Sequence, residues 1–479
     1  MSFSSWLQNG KRPAPAPRRR TQTSPRQRAN FRPHLESLED RCLLSSAIVQ
    51  TNLVSDVQGL AQVQDTNLVN PWGLAASPNG AWWVANEGTG TSTLYNTSTS
   101  PSTVESLVVK IPANPNGSSY SFIPANSPTG IVYNTGGTGT FDLTPGNNAT
   151  SSQFLFDTLD GTISGWSSGG NATVMVNNPS AIYTGLAMAT DSKGATLLYA
   201  ANFGQGTIEV YNQNFQPVTL SSHAFTDSQL PAGYAPFNIQ AIDNKLYVEY
   251  APVTPILDGL ASPGTGAVDV YSSNGVLLQR LIPPGQAQLN EPWAVAMAPA
   301  NFGSFSNDLL VGNFGDGQIN AFNPNSGQFV GVLEDASGQP ISIPHLWGLE
   351  FGNGGAAGPT NTLYFTAGLT SHLAPGTAPF HGQFGSLTVA EGHAPPTPLT
   401  PPTPPPTPPM SSPYGMLAQQ IDAIFQKFDA DLLSLESNFT AMDPQLSGLY
   451  ATLNSNLDAL EATFLDRLDA LETAGLSMI

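Results

Sequence analysis

The amino-acid sequence predicts an all-β ring of six blades, a β-propeller built from four-stranded antiparallel sheets, followed by a C-terminal α-helical hairpin. Three observations carry this prediction. A short apolar segment recurs six times at a nearly constant interval, each recurrence is followed by alternating apolar runs divided by glycine turns, and helical periodicity begins only after a proline-rich stretch.

The recurring segments are Pro71-Trp72-Gly73-Leu74-Ala75, Pro128-Thr129-Gly130-Ile131-Val132, Tyr183-Thr184-Gly185-Leu186-Ala187, Pro236-Phe237-Asn238-Ile239-Gln240, Pro292-Trp293-Ala294-Val295-Ala296 and Leu346-Trp347-Gly348-Leu349-Glu350. Their third residues fall at 73, 130, 185, 238, 294 and 348. A second alternating run follows in each unit, as in Ala81 to Asn86 or Leu197 to Asn202, and period-two alternation between tight turns argues antiparallel strands. The stretches Ala201 to Asn212 and Gly312 to Asn323 are nearly the same hairpin written twice, and Val276 to Ile282 supplies a fourth strand. Four strands in about 55 residues match a propeller blade, which cannot bury its faces alone. The sixth unit offers only Leu349 to Gly352, Thr362 to Ala367 and Gly382 to Val389. The segment Ile48 to Val54 can supply the missing strand and close the ring, so the propeller is placed at 46–393, with five or seven blades as the alternatives.

Residues 1–45 form a basic arm without periodicity and are read as disordered. Residues 394–413 form a Pro/Thr-rich linker, extending by ~3.1 Å per residue. Residues 414–479 carry apolar positions at spacings of three and four from Leu417 to Phe439 and from Leu446 to Leu471, with Asp443-Pro444 restarting the second helix. Their stripes exceed what one antiparallel pair can bury, so a homo-oligomer through these helices is expected.

Composition limits function. The chain has 15 Lys+Arg against 34 Asp+Glu, and nine of the bases lie in 1–45, leaving 6 bases against 31 acids in the rest. A surface that acidic repels phosphate, which excludes nucleic acid as the partner of the main domain. No apolar run is long enough to predict a transmembrane segment. The single cysteine, Cys42, excludes internal disulfides and a thiolate zinc cage.

The segment Arg32 to Ser45, with Glu39-Asp40-Arg41 followed by Leu43-Leu44, resembles the LEPR-XLL motif, although that motif has Glu-Pro-Arg at the central position. The resemblance implies an extracellular or cell-surface location. The stretches Asn52 to Asp56, Leu68 to Gly73, Asn86 to Tyr95, Ala232 to Gln240 and Leu310 to Gly317 resemble an uncharacterised family of exported bacterial proteins. Its members are similar in layout to NHL-type propellers and often carry PEP-CTERM sorting signals. The resemblance implies fold and export, and no activity.

The default ligand site of such a ring is the mouth where first strands begin and second strands end. Candidate binding residues there are Trp72, Trp293 and Trp347 on first strands, and Asn86, Glu87, Asn202, Glu249 and Asn313 near the ends of second strands. Oxygen donors of this kind suit Ca²⁺ or Mg²⁺. The same residues have structural uses: Asn before Gly or Phe tolerates a left-handed turn, and a repeated Trp packs between blades. Lactonase-like metal propellers place a Glu on a first inner strand, whereas the repeated third positions here are Gly, Gly, Gly, Asn, Ala and Gly, and Glu350 is a poor substitute two residues on. No paired histidine spacing and no Gly-x-Ser-x-Gly elbow occurs. The sequence therefore predicts a non-catalytic binding or scaffold module for a protein, glycan or small-molecule ligand, with no cofactor, no metal site and no catalytic residue. A divalent-metal-dependent hydrolase or lyase at the channel mouth is the alternative.

Overall fold

The six apolar repeats form the innermost strands of six antiparallel sheets. The computed structural model describes residues 47–144, 150–253, 262–370 and 380–390, all within one compact unit that ends at Gly392. The basic arm, the linker and the helical hairpin expected from sequence lie outside the described residues.

In chain order, β1 (Ile48–Ser55) and β2 (Val63–Gln64) precede the first blade, made of β3 (Pro71–Ala76), β4 (Trp82–Asn86), β5 (Thr91–Asn96) and β6 (Thr103–Lys110). The second blade is β7 (Pro128–Tyr133), β8 (Phe154–Thr158), β9 (Thr162–Trp166) and β10 (Thr173–Asn177). The third is β11 (Tyr183–Thr190), β12 (Thr196–Asn202) and β13 (Thr207–Tyr211). The fourth is β14 (Tyr234–Ile242), β15 (Lys245–Pro252), β16 (Ala267–Tyr271) and β17 (Leu277–Ile282). The fifth is β18 (Pro292–Met297), β19 (Leu309–Asn313), β20 (Ile319–Phe322) and β21 (Phe329–Val332). The sixth is β22 (Leu346–Phe351), β23 (Leu363–Thr370) and β24 (Phe380–Val389), completed by β1.

Two blades depart from four strands. In the third, the expected outer strand is reduced to a bridge between Tyr211 and Pro217, because proline has no N–H to carry the ladder onward. In the sixth, β1 runs antiparallel to β24 from Ile48 opposite Val389 to Ser55 opposite Gln383, and β2 adds a short parallel fifth strand. Two side chains pin this junction. Ser55 Oγ donates to the Gly382 carbonyl at 2.7 Å, and the Asp56 carboxylate takes both His381 Nδ1 at 2.7 Å and the Gly382 N–H at 2.8 Å.

Inner and second strands are buried on both faces, and large side chains fill the space between adjacent blades. Trp83, Phe154, Phe156 and Trp166 pack between the first and second blades, while Trp82, Tyr95, Tyr364 and Phe384 pack between the sixth and first. Each blade thus depends on its neighbours for burial, as the sequence period implied.

Candidate functional site: the axial channel

Every inner strand carries a register shift within its first five residues, between Pro71 and Leu74, Pro128 and Ile131, Tyr183 and Gly185, Pro236 and Asn238, Pro292 and Ala294, and Leu346 and Leu349. A bulge of this kind re-aims the side chains before it. Trp72, Trp293 and Trp347, from three different blades, meet as a result. Trp72 stacks on Trp347 with centroids 3.5 Å apart, and Trp293 sets its edge to both at 6.0 and 5.6 Å. Phe314 lies 4.2 Å from Trp347, and Phe237 stands edge-on to it at 6.0 Å. These rings are buried and fill the channel where the inner strands begin. The indoles of Trp347 and Trp293 donate to Asn70 Oδ1 and the Thr184 carbonyl, which fixes their orientation.

The polar residues predicted for this mouth lie around the aromatic plug. Asn86, Asn202 and Asn313 end equivalent strands β4, β12 and β19, and all are buried. None adopts a left-handed backbone, so their expected role in a turn is replaced by another. Asn202 accepts from the Ile182 N–H and donates to Gln205 and Glu209, and Asn313 donates to the Gln288 carbonyl and Asp316. They tie strand ends to neighbouring loops. Left-handed positions include instead Asn70, Glu291 and His345, each directly ahead of an inner strand. Glu87 is half-buried, accepts from Asn70 Nδ2 at 2.8 Å, and has its carboxyl pushed up by burial against the opposing pull of Asn70 and Ser127.

Glu249 sits one register earlier than those asparagines, opposite Asn238. At the same level in the second blade stands Asp157, which the sequence did not single out. Asp157 Oδ1 accepts from Thr129 Oγ1 at 2.8 Å and the Gly130 N–H at 2.6 Å, while its Oδ2 and both Glu249 oxygens have no hydrogen-bond partner. Both side chains are fully buried. Burial pushes Asp157 up to about 7 despite those hydrogen bonds, and burial raises Glu249 well above its ordinary range. The two acids mark the waist of the ring, where the inner strands leave no room for a side chain at the glycine positions. A Cβ added to Gly185 would lie 1.8 Å from Asn238 Oδ1.

The raised carboxyls have a consequence for stability. In the folded protein they keep protons that the unfolded chain releases near pH 4, so the folded state holds more protons above that pH, and stability falls as pH rises through the window up to about 7. Asp157→Asn and Glu249→Gln should each raise the Tm by several degrees at pH 8 and leave it nearly unchanged at pH 4, measured by calorimetry. Equal shifts at both pH values would contradict buried, protonated acids.

Beyond the waist, where the inner strands end, the channel widens into a cavity of about 750 Å³. Its rim includes exposed Pro78, Thr135 and Ala241, so it opens to solvent, and its wall is mostly aliphatic, with Leu74, Ile131, Leu186, Val295 and Leu349. Two polar wall residues, Asn134 and Asn353, are consumed by hydrogen bonds: each accepts from a backbone N–H of its own loop, Gly136 or Gly355, and donates to a distant carbonyl, Ser152 or Ser77. Gln240 Oε1 accepts from the Val295 N–H at 2.7 Å, which leaves Nε2 free to donate. Among the described residues Glu350 is the one charged side chain in the lining, makes no hydrogen bond or ion pair, and is pushed up to about 8 by burial. The sequence had treated Glu350 only as a substitute metal ligand. Among the described residues no three His, Cys, Asp or Glu side chains gather as a metal site, and no helix is long and apolar enough to cross a membrane.

No protein-family model matches the chain. It is similar to the uncharacterized protein R648 of Acanthamoeba polyphaga mimivirus, with 34% identity over 310 residues, covering 62% of this chain and 72% of R648. R648 is viral, so the relationship reaches outside the bacterial setting that the sequence motifs suggested. Among solved structures, streptogramin B lyase aligns at 13% identity and a TM-score of 0.36, covering 71% of this chain and 97% of its own. The PQQ-bound aldose sugar dehydrogenase of Streptomyces coelicolor aligns at 12% and 0.39, covering 71% and 99%.

Proposed function

We propose that this chain, which belongs to the same family as R648, is a non-catalytic binding module that takes a small ligand into the open end of its axial channel. The observation that carries this reading is the asymmetry of the channel. Rings from the inner strands seal one end, while the other holds an open cavity of about 750 Å³ with aliphatic walls and few uncommitted polar groups. Volumes of this order and this mixture of surfaces suit small-molecule sites. Among the described residues the lining offers one carboxyl and no cationic side chain, which supports binding over acid–base or metal-assisted chemistry. The motif at 32–45 supports presentation outside the cell.

Calorimetric titration with 4-phenylbutanol, a neutral apolar probe, tests the site. Saturable binding is expected in the native chain and should fall at least tenfold in Val132→Trp, which fills the cavity from a half-buried wall position. Unchanged binding by that variant would place the probe elsewhere and overturn the reading. EDTA should alter neither the binding nor the Tm, because only a ligand of the native state adds linkage stability. A fall in Tm that Ca²⁺ restores would favour the metal-dependent hydrolase or lyase.

A further inference from the structure

We propose that the natural ligand of the cavity is an organic amine, a single ammonium group on an apolar body, held with its cation against Glu350. The inference rests on the cavity being a binding site, and it deepens that reading by naming a ligand class. Three observations point to it. First, among the described residues Glu350 carries the only charge in the lining and has no hydrogen-bond or ion-pair partner. The strands that pack most against β22 are β3, β18, β19 and β23. They bring one ionisable side chain, Tyr364, with Asp308 just ahead of β19, and no cation. Glu350 is half-buried, and a carboxyl partly withdrawn from water without a donor or counter-charge is costly, whereas an ammonium supplies both.

Second, the surroundings select against the other charge classes. Among the described residues no Lys, Arg or His lines the cavity to receive an anion. Residues 47–390 hold 4 Lys+Arg against 20 Asp+Glu, a field that repels anions and concentrates cations at the opening. Third, the remaining wall fits the rest of such a molecule. Leu74, Ile131 and Leu186 offer aliphatic surface, and Gln240, whose Oε1 is taken by the Val295 N–H, keeps its Nε2–H to donate to a hydroxyl or carbonyl oxygen on the body. Burial raises the Glu350 carboxyl to about 8, with no protein cation opposing it.

The test compares 4-phenylbutylamine with 4-phenylbutanol, which differ in the terminal group alone, by calorimetric titration of the full chain. At pH 9 the amine should bind at least tenfold more tightly than the alcohol. Its affinity should fall about tenfold per pH unit below pH 8, because binding then requires Glu350 to release its proton, whereas the alcohol should be indifferent to pH. Glu350→Gln should bring the two probes within about twofold of each other while retaining the alcohol. Equal affinities in the native chain, or an amine preference surviving in Glu350→Gln, would overturn the amine assignment and leave the cavity reading standing. Failure of both probes to bind the native chain would overturn both.

Discussion

Removing residues 46–57 should abolish the cooperative unfolding of the propeller. The deletion takes away β1, which supplies the strand beside β24, and it exposes what β1 covers. Ile48, Leu53 and Val54 are buried, and each apolar side chain of this size contributes about 1.5–3 kcal/mol on burial. Their sum is comparable with the ~5–15 kcal/mol that holds a typical native fold. The Ile48 N–H also reaches the Glu334 carbonyl of the fifth blade at 2.8 Å, so the strand ties two blades together. Without it, β24 presents an open edge whose N–H and C=O groups can pair with another chain. Circular dichroism of the truncated chain should show a broad transition or aggregation well below the native Tm. A sharp melt at the native temperature would mean that the ring holds without closure.

The ring was legible from sequence because six short segments recur at intervals of 53 to 57 residues, and because the last unit lacked a strand that Ile48 to Val54 could provide. Pairing with the outer neighbour is unbroken in β4, β12 and β23, whose apolar runs between glycine turns could be placed to within a few residues. The channel was less legible, for a physical reason. Alternation predicts which side a residue faces only while the register is unbroken, and each inner strand shifts register next to its repeated third position. Trp72, Trp293 and Trp347 were visible as a repeat, but not as one stacked plug. Asp157 and Glu249 become a pair only when β8 and β15 are aligned by their partners on the inner strands, which places Asp157 beside Gly130 and Glu249 opposite Asn238. Glu350 was visible throughout. Its solitude in the cavity depends on the side chains of five other blades, which no local pattern reports.

Gly130→Ala should destabilise the propeller by about 3 kcal/mol through a single methyl group. Gly130 has no left-handed backbone, so the conformational freedom of glycine is not what the site uses. The constraint is room. An added Cβ would stand 2.5 Å from the Leu186 backbone nitrogen and 2.8 Å from Asp157 Oδ1. The first neighbour belongs to the inner strand of the next blade, which can retreat only by moving that blade, and overpacking of this kind costs about 1–3 kcal/mol. The second is the acceptor of the Gly130 N–H at 2.6 Å, so displacing Asp157 also weakens a buried hydrogen bond contributing about 1 kcal/mol and leaves more of its carboxyl unpaired. Gly170 provides the comparison, since its backbone is also outside the left-handed region and the nearest atom to an added Cβ is 3.8 Å away. Gly170→Ala should unfold within about 0.5 kcal/mol of the native protein in urea. If the two variants lose equal stability, close approach of the inner strands is not what keeps side chains out of the waist, and the division of the channel into a sealed half and an open half must have another cause.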